Sequence, residues 1–354
     1  MAAEAAKATP RERGHEAVSP WGIPLAGWKE IAGRTWRQTW IDNVGLVAAG
    51  VAFYGFLALV PLLGLIVMVY GLAAEPQTVV SNMRALTDIL PDNVALFIGE
   101  QLLSAVETAK ETKGLGILLA LAFAFYGGSN GAGAIITALN IAYQEKEKRS
   151  LTRFYLIALP MTLVAVLFAL LALAATAAIA YLEELLPQAS RVTLAVSKAV
   201  AYIALLLIAA GIAAALYRYA PSRENARWEW ITPGSAFTAV TWVLLTLGFG
   251  YYVTSLTDYN ATYGSLGAVI ALLTWMYLSA YVFVIGAQLN SEIEHQTAKD
   301  STTGEPQPMG ERGAWAADHV AHGDDPEEQV RQANKDAPSL GDAGPPVPTD
   351  DNVA

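Results

Sequence analysis

The chain has 354 residues, 54% hydrophobic and 15% charged, with a mean hydropathy of +0.37 and a formal charge of −10. Soluble domains carry about 25% charged residues, so this composition points to a membrane protein. Cysteine is absent, which excludes disulfides, thiolate catalysis, cysteine-based zinc sites and iron–sulfur clusters. The acidic excess sits in the tail, where residues 299–354 hold 12 Asp/Glu against 4 Lys/Arg, a net of −8, and no basic surface is left for nucleic acid.

Residues 1–24 are mostly small and polar, lack the apolar stretch of a cleavable signal peptide, and are expected to be disordered. The spacing then predicts an amphipathic helix over 25–41. Trp28, Ala32, Trp36 and Trp40 fall on one side, and Glu30, Arg34 and Arg37 on the other. Tryptophans opposite cations suit a helix lying in the lipid headgroup layer. An ordinary amphipathic helix packed on the protein fits the pattern equally well.

Residues 42–294 contain six long apolar runs: Val44–Leu72, Leu115–Tyr143, Phe154–Leu182, Thr193–Tyr217, Ile231–Leu256 and a last run inside Tyr263–Glu294. Each exceeds the length of a strand and suffices to cross a hydrocarbon core of ~30 Å. Apart from Lys198, none has an ionisable side chain between its polar ends. The expected fold class is therefore an all-α, polytopic bundle of six transmembrane helices.

Lysine and arginine orient it. Lys29, Arg34, Arg37, Lys146, Lys148, Arg149, Arg153, Arg218, Arg223 and Arg227 lie on one side. Arg84, Lys110, Lys113, Arg191 and Lys198 lie on the other. Ten against five places both termini in the cytoplasm. The loop 74–113 is the sizeable external segment. Its stripe Val94, Phe97, Ile98, Leu102 and Ala105 predicts one or two short helices on the bundle's outer face. Residues 295–354 are rich in Pro, Gly, Asp and Ala and are expected to form an acidic disordered cytoplasmic tail.

The candidate chemistry is sparse. His15, His295, His319 and His322 all lie in the termini or just beyond the last helix, which leaves no histidine metal site or general base inside the bundle. Asp258 stands nearly alone on its side, without the clustered acids that hydrolysis by paired carboxylates needs. No catalytic, cofactor or metal-binding residue is assigned. In the second helix, Gly127–Gly133 falls near the bilayer midplane. Glycines spaced as Gly127 and Gly131 let helices approach closely, or the helix unwinds there to line a cavity. Asn130 is the polar residue to watch, because an amide at that depth needs a partner.

In the last helix, Gly267, Thr274, Tyr281 and Gln288 recur every seven residues, with Tyr263 and Tyr277 beside them and Leu272, Met276 and Phe283 opposite. Such a stripe serves packing or lines a path for a solute. The candidate lining is Tyr54, Asn130, Tyr263, Thr274, Tyr281 and Gln288. Pro61, Gly127, Gly131 and Gly267 are the expected packing or hinge residues. The absence of a titrating group inside the membrane argues against proton coupling and for neutral or amphipathic cargo.

Five segments carry a family resemblance: Asn43–Leu63, Ala138–Ser150 (ALNIAYQEKEKRS), Leu216–Pro221 (LYRYAP), Ile231–Trp242 (ITPGSAFTAVTW) and Tyr263–Glu294. Together they resemble the YihY/BrkB family of bacterial inner-membrane proteins, formerly labelled ribonuclease BN, over roughly residues 28–294. The resemblance implies a six-helix inner-membrane protein, envelope phenotypes and transport of lipid or other envelope components. It brings no catalytic motif, and the ribonuclease label finds no metal-ligand cluster or basic groove here. Two functions remain open: a transporter or flippase for an amphipathic envelope molecule, and a non-transporting scaffold or assembly factor. Membrane lipids are the expected partners and nucleic acid is not. A homo-oligomer or an envelope protein partner is left open.

Overall fold

The structure, a computed structural model, describes residues 13–73, 115–164, 190–255 and 266–321. Met1–Val320 form one unit and Ala321–Ala354 another, and the elements below belong to the first. They are α1 (Leu25–Ile41), α2 (Val44–Ala73), α3 (Leu115–Ala142), α4 (Leu151–Val164), α5 (Arg191–Tyr219), α6 (Trp228–Ser255), α7 (Leu266–His295) and the single turn α8 (Trp315–Asp318). Among the described residues there is no strand, only an isolated bridge between Ala226 and Thr302. The fold is all-α. Three helices, covering Val192–Tyr219, Trp228–Val253 and Leu266–His295, are long and apolar enough to cross a membrane, or four if the bent pair α1–α2 counts as one span. The loop 74–113 and Tyr263 lie outside the described residues.

The last apolar run is the hub. Helix α7 packs on α1, α2, α3 and α6, while α3 lies on α2 and α5 on α6. Small side chains allow this. The core contains Ala132, Ala138, Ala142, Ala213, Ala214, Ala220 and Ala287, all buried. Tyr217 sits among them, completely covered, and its hydroxyl donates to the Phe283 carbonyl at 2.7 Å while sharing a 2.7 Å hydrogen bond with Thr238. One phenol thereby joins α5, α6 and α7.

The surface is apolar where a soluble protein's would be polar. Val192, Val196, Val200, Ile203 and Leu207 form an exposed stripe on α5, and Leu244, Leu247 and Tyr251 one on α6. The residues with no exposure at all include Gln288, Asn290 and Glu294. Bulky aliphatics outside and amides and carboxylates inside is the arrangement expected of helices surrounded by lipid.

Helix α1 begins and ends where its sequence pattern predicts, but its polar face is not solvated. Trp36 and Trp40 are exposed, whereas Arg34 is buried against α7. Between α1 and α2 the axis turns by 65°. Asn43 makes the corner with φ +50°, a left-handed conformation that asparagine tolerates better than most residues. Its carbonyl accepts from the Leu46 and Val47 amides, starting the new helix. Gln144 has φ +59° and ends α3, its amide donating to the Ile141 carbonyl.

Two expectations of disorder are corrected. In the N-terminal stretch, residues 13–24 are ordered: Ala17 and Ile23 are buried with Ile31, Trp230 and Ile293, and the His15 carbonyl accepts from the Ala298 amide. In the tail, residues 296–320 form a folded cap rather than disordered chain. Buried Arg312 donates to the carbonyls of Ala298, Gln307 and Ala317. Asp318 accepts from the Gly310 and Arg312 amides, and Asp300 from the Thr302 and Gln307 amides. Composition counted these charged residues as solvated, but each satisfies backbone groups of a short loop. Residues 1–12 and 322–354 lie outside the described residues.

Candidate functional site

At the C-terminal end of α7 the sequence Gln288–Thr297 carries polar side chains around all but the Leu289–Ile293 face, and each finds a different partner. Arg34 of α1 donates to Glu292 Oε2 at 2.7 Å and to Gln296 Oε1 at 2.6 Å. Arg223, in the loop after α5, donates to both oxygens of Glu294 at 3.1 and 2.6 Å. Ser301 Oγ completes that carboxylate at 2.7 Å, and the guanidinium lies 4.9 Å from the Tyr143 ring centre. Asn290 Oδ1 accepts the Gly234 amide at 2.7 Å. Charge-assisted pairs this short and this buried hold the helix ends in one arrangement.

A second knot surrounds the corner between α1 and α2. Asp42 accepts from Gln38 at 2.9 Å, from Gln288 at 2.8 Å and from Gln144 at 3.3 Å, and Thr39 donates to Gln288 Oε1 at 3.0 Å. Burial pushes the Asp42 carboxyl up to about 6 from 3.8, against the pull of the three amides. The folded chain therefore holds this proton more tightly than the unfolded chain. Its contribution to stability is fullest below pH 4 and falls as pH rises through 4 to 6, by about 3 kcal/mol for a shift of this size. We expect melting temperature in detergent to decline over that window and the Asp42→Asn variant to lose that component of the slope. An identical slope in the variant would show that Asp42 is not the group responsible.

The loop after α3 is organised by paired charges. Glu147 receives Arg149 through two 2.7 Å bonds and Asn140 at 2.9 Å. Partial burial works against its charged form, but these hydrogen bonds outweigh it and hold the carboxyl down at about 2. Burial pushes Glu145 up, against the Trp315 amide that donates to it at 2.6 Å.

Between α2, α3 and α4 lies an open cavity of about 400 Å³. Tyr54 of α2 lines it together with Ser129 and Asn130 of α3 and Tyr155 of α4. Ser129 Oγ is buried with no hydrogen-bond partner among the described residues. The Asn130 amide likewise has none among the contacts of the described residues. Two polar groups without partners among the described residues, on successive residues, leave hydrogen-bonding capacity at the cavity lining.

The candidate residues divide accordingly. Tyr54 and Asn130 meet in this one cavity. Gln288 lies in the Asp42 knot instead, with no exposure. Tyr281 pairs with Tyr277 at 6.1 Å near Gly45 of α2. The Thr274 hydroxyl bonds back to the Ile270 carbonyl of its own helix at 2.7 Å. Pro61 falls inside the continuous α2 and Gly267 is buried. The glycine-rich stretch does not unwind, since α3 is helical throughout. Gly131 faces Ala58 and Gly55 of α2, Gly127 is half-buried, and neighbouring Gly128 meets Thr162 of α4. Sequence reasoning passed over Ser129, Asp42 and the pairs made by Arg34 and Arg223. The one available signal was a helix end with carboxylates on two faces, which no solvated amphipathic helix requires.

Among the described residues no three His, Cys, Asp or Glu side chains are grouped to hold a metal. The family model described as Virulence factor BrkB matches residues 35–310. The ribonuclease-like protein YfkH of Bacillus subtilis (strain 168) is 32% identical over 48% of this chain and 62% of its own length. A UPF0761 membrane protein of Paraburkholderia xenovorans (strain LB400) is 38% identical over 30% of this chain and 24% of its own length. In both, the match spans less than two thirds of the relative. Another UPF0761 membrane protein, from Pseudoalteromonas atlantica, is 26% identical over 74% of this chain and 86% of its own. No solved structure matches.

Proposed function

We propose that this chain, which belongs to the Virulence factor BrkB family of membrane proteins, transports or flips a lipid or another amphipathic envelope component. In this reading it crosses a bacterial inner membrane six times with both termini in the cytoplasm. The observation that carries it is the open cavity holding Tyr54, Ser129 and Asn130, where polar groups without partners among the described residues line a gap between apolar helices. Such groups are costly at bilayer depth unless something polar visits them. The excess of Lys and Arg on the side of the α7 C-terminus supports the orientation.

The test is reconstitution into vesicles with labelled lipid or amphipathic solute, beside a carrier of known activity. Wild-type protein is expected to move the label. Asn130→Leu is expected to slow it by about tenfold, the value of one hydrogen bond. No movement while the known carrier works would sink the reading. Gln288→Leu is a poor probe of transport, because it unties the Asp42 knot.

The scaffold alternative is favoured by one observation, the ordered cap at 296–320, which the sequence continues with an acidic tail. Because part of the former tail belongs to the fold, the informative truncation falls after Ala321. A truncated protein that still transports but loses its envelope phenotype supports the scaffold. The name ribonuclease-like belongs to a relative matched over half the chain, and a ribonuclease is not adopted. The two carboxylates at the end of α7, Glu292 and Glu294, are committed to Arg34 and Arg223.

A further inference from the structure

On another face of α4, away from the Tyr54–Asn130 cavity, α4 and α5 bound a separate groove of about 1030 Å³. Its walls are Leu156, Pro160 and Val164 from α4 and Ile208, Gly211 and Ile212 from α5. These residues recur at helical spacing and none is charged. From Ile208 to Tyr219 the α5 wall rises roughly 16 Å, about half of a ~30 Å hydrocarbon core. The groove is therefore as deep as one leaflet.

Its polar end is cationic. Lys148, Arg149, Arg153 and Arg223 line it, opposed by Glu224. Arg149 is committed to Glu147 and Arg223 to Glu294. Lys148 makes only a 3.6 Å contact to Glu145 with its side chain 66% exposed, a pairing of little energetic weight. Arg153 is exposed and makes no ion pair or hydrogen bond among the contacts of the described residues, and the side chain of Asn225, which lines the same groove, likewise has no partner among them. Fixed pairs thus build the rim, and two cations and an amide are left for a ligand.

We propose that this groove holds one anionic phospholipid from the leaflet on the side of the α7 C-terminus. Its phosphate sits at Arg153 and Lys148, and its acyl chains lie between α4 and α5. Charge selects an anionic over a zwitterionic headgroup, and the leaflet-deep apolar walls select a lipid over a free phosphate. The site does not require transport and goes beyond that reading.

The experiment measures lipid retained by the full chain after extraction, using native mass spectrometry with phosphatidylglycerol and phosphatidylcholine of the same acyl chains. Wild-type protein is expected to prefer the anionic lipid. Arg153→Gln and Lys148→Gln change exposed side chains and should each cut the preference about fivefold. Gly211→Leu extends into space where an added Cβ meets nothing within 4 Å, and it should lower retention of both lipids. An unchanged preference in the double variant overturns the proposal. So does binding of inorganic phosphate that matches the lipid while Gly211→Leu has no effect. Transport that fails while lipid is still retained refutes the transport reading alone.

Discussion

Glu294→Ala is expected to lower the unfolding free energy by about 3–5 kcal/mol, the usual cost of removing one member of a buried ion pair. The side chains of Arg223 and Glu294 are 2% and 0% exposed, with their closest approach at 2.6 Å. Truncation would strand the guanidinium against the Tyr143 ring and leave Ser301 Oγ without its acceptor. Most of the loss therefore comes from the desolvated cation left behind rather than from the attraction removed. A double variant, Arg223→Met with Glu294→Leu, removes both charges and is expected to recover at least half of the loss. Chemical denaturation in detergent reads both quantities. A single-variant loss under about 1 kcal/mol would mean that water reaches the pair and that the cap formed by residues 296–320 does not seal it.

The same pair marks the boundary between what the sequence discloses and what it does not. Helices α2, α3, α5, α6 and α7 follow from run length and absent charges, because a bilayer imposes one length scale on apolar helices, whereas α1 follows from the amphipathic spacing of its tryptophans and charges. Asn130 was recognisable as an amide in an apolar run, and the cavity it shares with Tyr54 is where a polar group at that depth belongs. Thr274 is a candidate on the heptad stripe, but a hydroxyl one turn from a helical carbonyl satisfies itself. The ion pairs are different in kind. Arg34 lies 258 residues from Glu292, and Arg223 lies 71 residues from Glu294. Nothing local distinguishes either arginine from the other cations that orient the bundle. Charge counting assigns Arg34 and Arg223 to one side of the membrane, and tertiary packing buries both there against α7. The cap misled for a related reason: Asp300, Arg312 and Asp318 have a disordered segment's composition but the positions of backbone-capping groups.

Gly286→Ala carries an equally large expected effect through sterics alone. The methyl group would overlap Thr238 Oγ1 and come within 2.7 Å of the Tyr217 hydroxyl and 2.9 Å of the Gly234 carbonyl. Opposite it, a methyl group on Gly234 would overlap the Gly286 carbonyl and Asn290 Oδ1. Two glycines from α6 and α7 therefore face each other with no room for a side chain on either. Pro233 precedes one of them inside α6 and cannot donate to the helix ladder, while the Gly234 amide turns outward to Asn290. Alanine at 286 has to push α6 from α7 and break the Tyr217 bonds to Thr238 and Phe283. Overpacking costs about 1–3 kcal/mol and each lost hydrogen bond about 1, so a loss of about 3–5 kcal/mol is expected, read as reduced thermal stability and less monodisperse protein. Thr238→Ala in the same chain removes the first clash and should return at least about 1 kcal/mol, because one of the two forfeited bonds is then no longer contested. Gly248→Ala is the control. Nothing lies within 4 Å of its added methyl, and it is expected to be neutral or stabilising by up to about 1 kcal/mol through helix propensity. Equal effects at 248 and 286 would mean that chain stiffness, not the contact between α6 and α7, fixes these glycines.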